Sequence, residues 1–393
     1  MSNYLSFYRM NKQITAVSLP FNIDVMISDW LGLRPKMVKN LPNGFSRDEW
    51  AYLISFLCFD NLVRPFENSF GEKLEKFGGD VQTLLRPRGH VALWLPNNVS
   101  LLGPLILILL SLSGNSISIK GGSQSENLTN IFISYIISTL PDEVLLKKYL
   151  LDNVLYQTFD RHDSRNIEMA KNANIRIIFG SDEAAANINS IKHPIESIGF
   201  NFINRKSEVW IEKNALNESS IDTLIKVFAI YGQAGCTSPG KVTIVDGDQN
   251  DVKYLKDRIV EKWSSIIPNK PDQYIASNNI LAKQLALSSG WAADLTNLNG
   301  SLIAAGSYDL KDLNSLMALP IVWAGLEQAI DRLPENIQTL GYILNDPKEI
   351  KWLNIISKTK IKRFVPVEKM HHFSFIWDGY KYWQQLFETV EVL

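Results

Sequence analysis

The residue best suited to covalent chemistry in this chain is Cys236, in the run Tyr231-Gly232-Gln233-Ala234-Gly235-Cys236-Thr237-Ser238-Pro239. A thiolate is a strong nucleophile, and the small residues Gly232, Ala234 and Gly235 let a substrate carbonyl come close. The apolar stretch Leu224 to Tyr231 reads as a strand. Thr237 and Ser238 then read as caps, and Pro239 as an early position, of a following helix. A thiol at that point feels the positive end of the helix dipole, which favours the thiolate. A buried structural cysteine is the competing reading, because free cysteine commonly packs in cores. The second cysteine, Cys58, lies in the apolar run Tyr52 to Phe59 and is assigned to packing.

Three other short segments carry groups that chemistry can use. Leu95-Pro96-Asn97-Asn98-Val99-Ser100 follows a strand, where an Asn98 amide could donate to a developing oxyanion; an Asn-Asn pair also simply suits a turn. Lys120 closes a strand before Gly121-Gly122 and could hold a ribose or phosphate, or be a solvated lysine. Phe179-Gly180-Ser181-Asp182-Glu183-Ala184 is a strand–turn–helix whose N–H groups at Ser181 and beyond could meet an anion, although the acidic first turn fits a plain capped helix as well. The five histidines form no metal-ligand spacing and none is assigned to catalysis; His371-His372 reads as a loop or packing feature.

The totals bound the answer. At 393 residues, 46% hydrophobic and 21% charged, the chain suits two or three globular domains with a sizeable core. Forty basic and forty-one acidic side chains leave a formal net charge of -1, which argues against a general nucleic-acid or membrane-surface binder. Two cysteines cannot build a disulfide framework, and there is no CxxC pair to suggest zinc. The run Leu101 to Leu112 is too short to span a bilayer, and Met1 to Thr15 lacks a signal-peptide apolar core. A cytoplasmic setting is expected.

The elements that must position these groups alternate. Residues 20–85 read as amphipathic helices, with Ser46 and Glu49 at capping-box spacing. Short strands then follow at His90–Leu95, Ser116–Ile119, Val154–Thr158, Ile175–Phe179 and Val209–Ile211, with helices between them. From about residue 232 the habit repeats, with a strand at Lys241–Val245 and a long helix at Asp251–Ile266. This predicts an α/β fold of two doubly wound lobes with a helical N-terminal region. The expected domains are 1–231, 232–375 and a C-terminal segment, 376–393, returning to the cofactor or oligomerisation region. Cys236, at the junction, is expected to face a cleft.

The order of these pieces resembles the aldehyde dehydrogenase superfamily, and within it the LuxC-type acyl-CoA reductases. The matching segments are Gly89 to Val99, Gly114 to Lys120, Phe179 to Ala184, Gly232 to Pro239, Gln338-Thr339-Leu340-Gly341, Arg363-Phe364-Val365-Pro366 and Trp377-Asp378-Gly379. The resemblance implies that Cys236 accepts the acyl group and that Asn98, with the Cys236 N–H, forms the oxyanion hole. It also implies that Lys120 contacts the adenosine ribose and that Gly180 and Ser181 lie by the pyrophosphate. Members preferring NAD often have a glutamate three residues after the strand lysine. Ser123 stands there, which leaves room for a 2′-phosphate and implies NADPH. The substrate would be an acyl-CoA or an acyl carrier protein thioester, with a possible acyl-transferring partner enzyme, and the assembly a homo-oligomer.

One departure bears on the reaction. Hydrolytic members carry a water-activating glutamate in a Glu-Leu-Gly-Gly-Lys segment. With Lys206 placed on that lysine, the glutamate position is Phe202, where the acyl reductases usually have a glycine. An acyl-enzyme without a base should wait for hydride or a thiol, so the expected reaction is thioester reduction to an aldehyde. Aldehyde oxidation to the acid and a non-catalytic binding protein of the same fold are the alternatives. Trp291, Trp323, Phe373 and Phe375 are candidate walls of an acyl tunnel, or core residues.

Overall fold

The computed structural model describes residues 22–64, 66–70, 82–122, 127–203, 205–233, 235–267, 273–296, 300–310, 313, 317–372 and 376–392. Ser123, Ala234, Phe373 and Phe375 lie outside them. Two compact units are present, Met1–Ile203 with Phe373–Leu393, and Asn204–His372.

The first unit opens with helices that the capping residues define. Asn22 accepts from the N–H groups of Asp24 and Val25 and starts Ile23–Lys39. Ser46 and Glu49 form the expected capping box of Arg47–Phe56. That helix stops short of Cys58, which is half-buried. Trp30 ties this layer down: its indole N–H donates to Ser111 Oγ at 2.8 Å and its ring stacks on Phe132 at 5.9 Å.

Beneath the helices are β1 (Gln82–Pro87), β2 (His90–Trp94), β3 (Ser116–Gly121), β4 (Val154–Thr158), β5 (Ile175–Gly180) and β6 (Ile198–Ile203). Five of these form a parallel sheet in the order β4-β3-β2-β5-β6. β2 and β5 are buried almost throughout because both faces of such a sheet are covered by helices. The helix Leu102–Ser111 shows the same demand, with every residue from Gly103 to Ser111 buried. The chain runs outward from β2 through β3 to β4, then restarts on the other side of β2 with β5. That reversal makes a crevice at the C-terminal ends of β2 and β5.

The second unit holds β7 (Lys206–Glu212), β8 (Pro239–Val245), β9 (Ala292–Leu295), β10 (Leu302–Ser307), β11 (Ala318–Ala324), β12 (Ile337–Ile343) and β13 (Arg363–Pro366). They pair in the order β13-β12-β7-β8-β11-β10-β9, parallel except for β9 against β10. One core contains Val209, Ile211, Phe228, Val242, Leu255 and Trp263. A second contains Trp210, Val245, Trp291, Leu302 and Trp352. Alternate residues of β7 thus feed opposite cores. Trp291 is core, packed so closely on Gly306 that a Cβ there would come within 2.7 Å of its ring, while Trp323 packs half-buried against the first core.

The chain then returns to the first unit, where β14 (Phe387–Val392) pairs antiparallel with β1. Arg88 donates to the carbonyls of Gln385 and Phe387 at 2.8 and 3.0 Å and holds that return in place. No helix among the described residues is long and apolar enough to cross a membrane. Truncating Leu110, fully buried in the Leu102–Ser111 helix, to alanine should cost about 2–5 kcal/mol, read as a lower urea midpoint of tryptophan fluorescence.

Candidate active site

Parallel strands deliver the loops that follow them to one edge. Trp94 is in register with both Lys120 and Ile178, so the groups after β2, at the end of β3 and after β5 are neighbours along that edge. Asn98 lies exposed in the bend after β2. Lys120 is half-buried, its Nζ 5.8 Å from the Phe159 ring centroid. Burial pulls its pKa below the ordinary value, against the opposing pull of the Asp160 carboxylate. Gly180 ends β5 without crowding, since a Cβ there would make ordinary contact with the Ala184 Cβ at 3.6 Å. Ser181 caps the helix Asp182–Asn189 by accepting from the Ala184 N–H at 3.2 Å. Asn98, Lys120, Gly180 and Ser181 therefore share one edge of one sheet. Ser123 is outside the described residues.

Phe202, near the end of β6, is buried. It stacks on Phe179 at 4.6 Å and is met edge-on by Tyr380 at 6.4 Å. Tyr380 is aimed there by Trp377-Asp378-Gly379. Asp378 and Gly379 both have positive φ, 52° and 83°, and Trp377 and Tyr380 exchange both backbone hydrogen bonds. This is the tight turn that Asp-Gly favours.

The surroundings of Cys236 differ from the sequence expectation. Residues Glu218–Ala229 are a helix, capped by Asn217, and a 3-10 turn Ile230–Gln233 follows. Pro239 opens strand β8, so no helix begins after Cys236. The apolar spacing of Ile221, Leu224, Ile225 and Phe228 was helical, and Pro239 stands where a strand's first residue needs no free N–H. The helix dipole is therefore not what acts on this thiol.

The exposed Cys236 is instead held by side chains from around the loop. Ser207 Oγ donates to the Cys236 carbonyl at 2.7 Å. Gln233 has a left-handed φ of 60°, a strain of about 1–2 kcal/mol for a residue with a Cβ. Its amide offsets this by donating to the Pro239 and Ala318 carbonyls, at 3.1 and 2.9 Å, and accepting from the Ala318 N–H at 3.1 Å.

Two further residues in this unit were given no role in the sequence. His371 Nε2 is 2.8 Å from the Val227 carbonyl, which can only accept, so Nε2 carries the proton. Nδ1 then accepts from the Thr237 hydroxyl at 2.7 Å. Desolvation, with the Arg363 and His372 charges nearby, pushes His371 down to about 4. It is neutral at pH 7 and clips the loop beside Cys236 to the preceding helix.

Arg363 is buried and opens β13. Its guanidinium donates to Thr339 Oγ1 and Met370 O, at 3.3 and 3.0 Å, and to Lys369 O and His372 O, at 3.3 and 2.9 Å. Burial lowers its pKa to about 10, and negative charge on Cys236 is the influence that opposes this. An arginine starting a buried strand was the available signal, because arginine is almost never buried without a task.

A sequence model described as acyl-CoA reductase (LuxC) matches residues 80–303. The chain belongs to the LuxC acyl-CoA reductase family. Family membership makes it an oxidoreductase of aldehyde-level chemistry. No curated protein matches it. Solved structures show the aldehyde dehydrogenase fold. An oxidoreductase from Marinobacter aquaeolei is 11% identical with a TM-score of 0.64, over 95% of this chain and 86% of that one. Glyceraldehyde-3-phosphate dehydrogenase GapN from Methanocaldococcus jannaschii, solved with NADP, is 16% identical with a TM-score of 0.67, over 95% and 90%. A betaine aldehyde dehydrogenase from Staphylococcus aureus, solved with NAD+, is 11% identical with a TM-score of 0.64, over 95% and 84%.

In this LuxC-family chain the His371 clip has a pH signature. Its imidazole titrates at 6.5 in the unfolded chain and about 4 when folded. The unfolded state thus binds the proton first, and stability falls as pH drops from about 6.5 toward about 4. The thermal midpoint should fall less steeply over that window in His371→Gln than in the wild type.

Proposed function

We propose that this protein reduces an acyl thioester, carried on CoA or on acyl carrier protein, to the aldehyde with NADPH, through an acyl group held on Cys236. The observation that carries this reading is Phe202, which takes the position of the hydrolytic glutamate when Lys206 is placed on the family's lysine. Phe202 stands there, buried in the Phe179–Phe202–Tyr380 ring stack, and a phenyl ring cannot take a proton from water. With no carboxylate at that position, an acyl-cysteine has no built-in route to the acid.

The edge formed by Lys120, Gly180 and Ser181 fits a dinucleotide. It has a half-buried cation at the end of β3, an uncrowded glycine where a pyrophosphate must approach backbone, and a capped helix start. Lys120 would hold the adenosine ribose, with Gly180 and Ser181 along the pyrophosphate. Ser123, three residues past Lys120, brings no carboxylate against a 2′-phosphate, which supports NADPH over NADH. When bound, NADPH supplies the hydride that takes the acyl carbon to the aldehyde level.

The chain's own groups do the rest. Cys236 sulfur attacks the thioester carbonyl, forming a new C–S bond and placing the displaced electron pair on oxygen. The Asn98 amide and the Cys236 N–H are assigned to that oxyanion. Its collapse breaks the original C–S bond, and the leaving thiolate takes a proton as it departs. After reduction, the carbon–sulfur bond to Cys236 breaks, aldehyde leaves and the thiolate is restored.

Cys236→Ala should abolish transfer of a radiolabelled acyl group from a thioester onto the protein; retained label would remove the central assignment. Asn98→Ala should lower kcat about 10²–10³-fold with little change in the KM for NADPH. Ser123→Glu should raise the ratio of NADH-linked to NADPH-linked activity in a spectrophotometric assay, and an unchanged ratio would refute the cofactor assignment.

A further inference from the structure

The motifs Gln338-Thr339-Leu340-Gly341 and Arg363-Phe364-Val365-Pro366 meet at one level of the second sheet. Pro239 of β8 is in register with Ser207 of β7, Ser207 with Thr339 of β12, and Thr339 with Arg363 of β13. Registered residues of parallel strands point to the same face, and the bond from Arg363 Nη1 to Thr339 Oγ1 agrees. Ser207, which holds the Cys236 carbonyl, is thus two strand spacings from Arg363, about 10 Å between backbones. A side chain of arginine length crosses much of that.

The segment after β13 closes the remaining distance. Arg363 grips the carbonyls of Lys369, Met370 and His372, while His371, between the last two, reaches Thr237 beside Cys236. Met370 fits against Gly341, where any Cβ would collide with its sulfur. The acceptors given above for Arg363 are neutral carbonyl and hydroxyl oxygens, and negative charge on Cys236 would be felt at the guanidinium.

We propose that Arg363 is a positioning residue whose fixed, buried charge holds Cys236 in its thiolate form without touching the acyl group. The proposal rests on the reading of Cys236 as nucleophile. The proton given up at rest goes to solvent, since Cys236 is exposed. A fixed guanidinium keeps its charge at every working pH, so it tunes the thiol without itself titrating. Other ionisable groups among the described residues also lie near the loop. His371 is neutral at working pH, and its Nδ1 is occupied by Thr237. His372 is held below its ordinary value by desolvation and by the Lys369 and Arg363 cations, with Glu368 opposing. Glu208 and Lys241, on β7 and β8, are paired with each other at 3.0 Å.

The test is the pH dependence of iodoacetamide alkylation at Cys236, mapped by mass spectrometry on the full chain. The wild-type midpoint should lie well below the ordinary cysteine value of about 8.5. Arg363→Gln should raise it by a unit or more, about a tenfold loss of alkylation rate at pH 7. Arg363→Lys should keep most of the shift, and His372→Gln should leave the midpoint in place. The rate at high pH, where every thiol is ionised, should match across the set. A wild-type midpoint at or above the ordinary value overturns the proposal even if Arg363→Gln fails to fold. So does a lysine variant that shifts as far as the glutamine variant. Thioester labelling separates the two claims. An Arg363-dependent midpoint on a Cys236 that takes no acyl group leaves this inference standing and sinks the proposed function; the reverse result does the opposite.

Discussion

A guanidinium buried in a sheet costs several kcal/mol unless fixed acceptors surround it. Arg363 meets that demand by drawing in the carbonyls of Lys369, Met370 and His372, which bends the chain after β13 back over the sheet. The bend places His371 against Thr237 and the Val227 carbonyl, so one buried charge organises both sides of the Cys236 loop. With Ser207 and Gln233 adding their bonds, an exposed thiol sits on a loop that is nonetheless rigidly held.

Seen this way, several motifs become structural devices. Thr339 accepts from Arg363, and Gly341 leaves the space that Met370 fills. Trp377-Asp378-Gly379 is a reversed turn that sets Tyr380 against Phe200 and Phe202. Each acts by fixing backbone or ring positions. The two sheets also differ in which edge they use. The first presents Asn98, Lys120, Gly180 and Ser181 after strand ends, the usual place in a doubly wound sheet. In the second, Cys236 precedes β8, at the edge where strands begin.

Much of this was legible in the residues. Strand β4 at Val154–Thr158 and the Ser46–Glu49 capping box fell where local pattern put them. The helical chain expected between β3 and β4 includes the helix Leu128–Thr139. Such features are set within one turn or one strand, by cap chemistry and the period of apolar side chains, so neighbours in sequence carry the signal. The family membership was legible for a related reason, since the order of short motifs survives in a linear string.

The environment of Cys236 was not legible. Thr237-Ser238-Pro239 satisfies the local rules of a helix start, yet the segment becomes a strand because β7 and β11 offer it partners on both sides. Residue types alone made Cys236 the candidate nucleophile and removed a carboxylate from the Phe202 position. Only tertiary structure decided what charge acts on the thiol, because Arg363 lies 127 positions away in the numbering and reaches it across β12 and β7. Electrostatic influence depends on distance in space and on desolvation, and a sequence records neither.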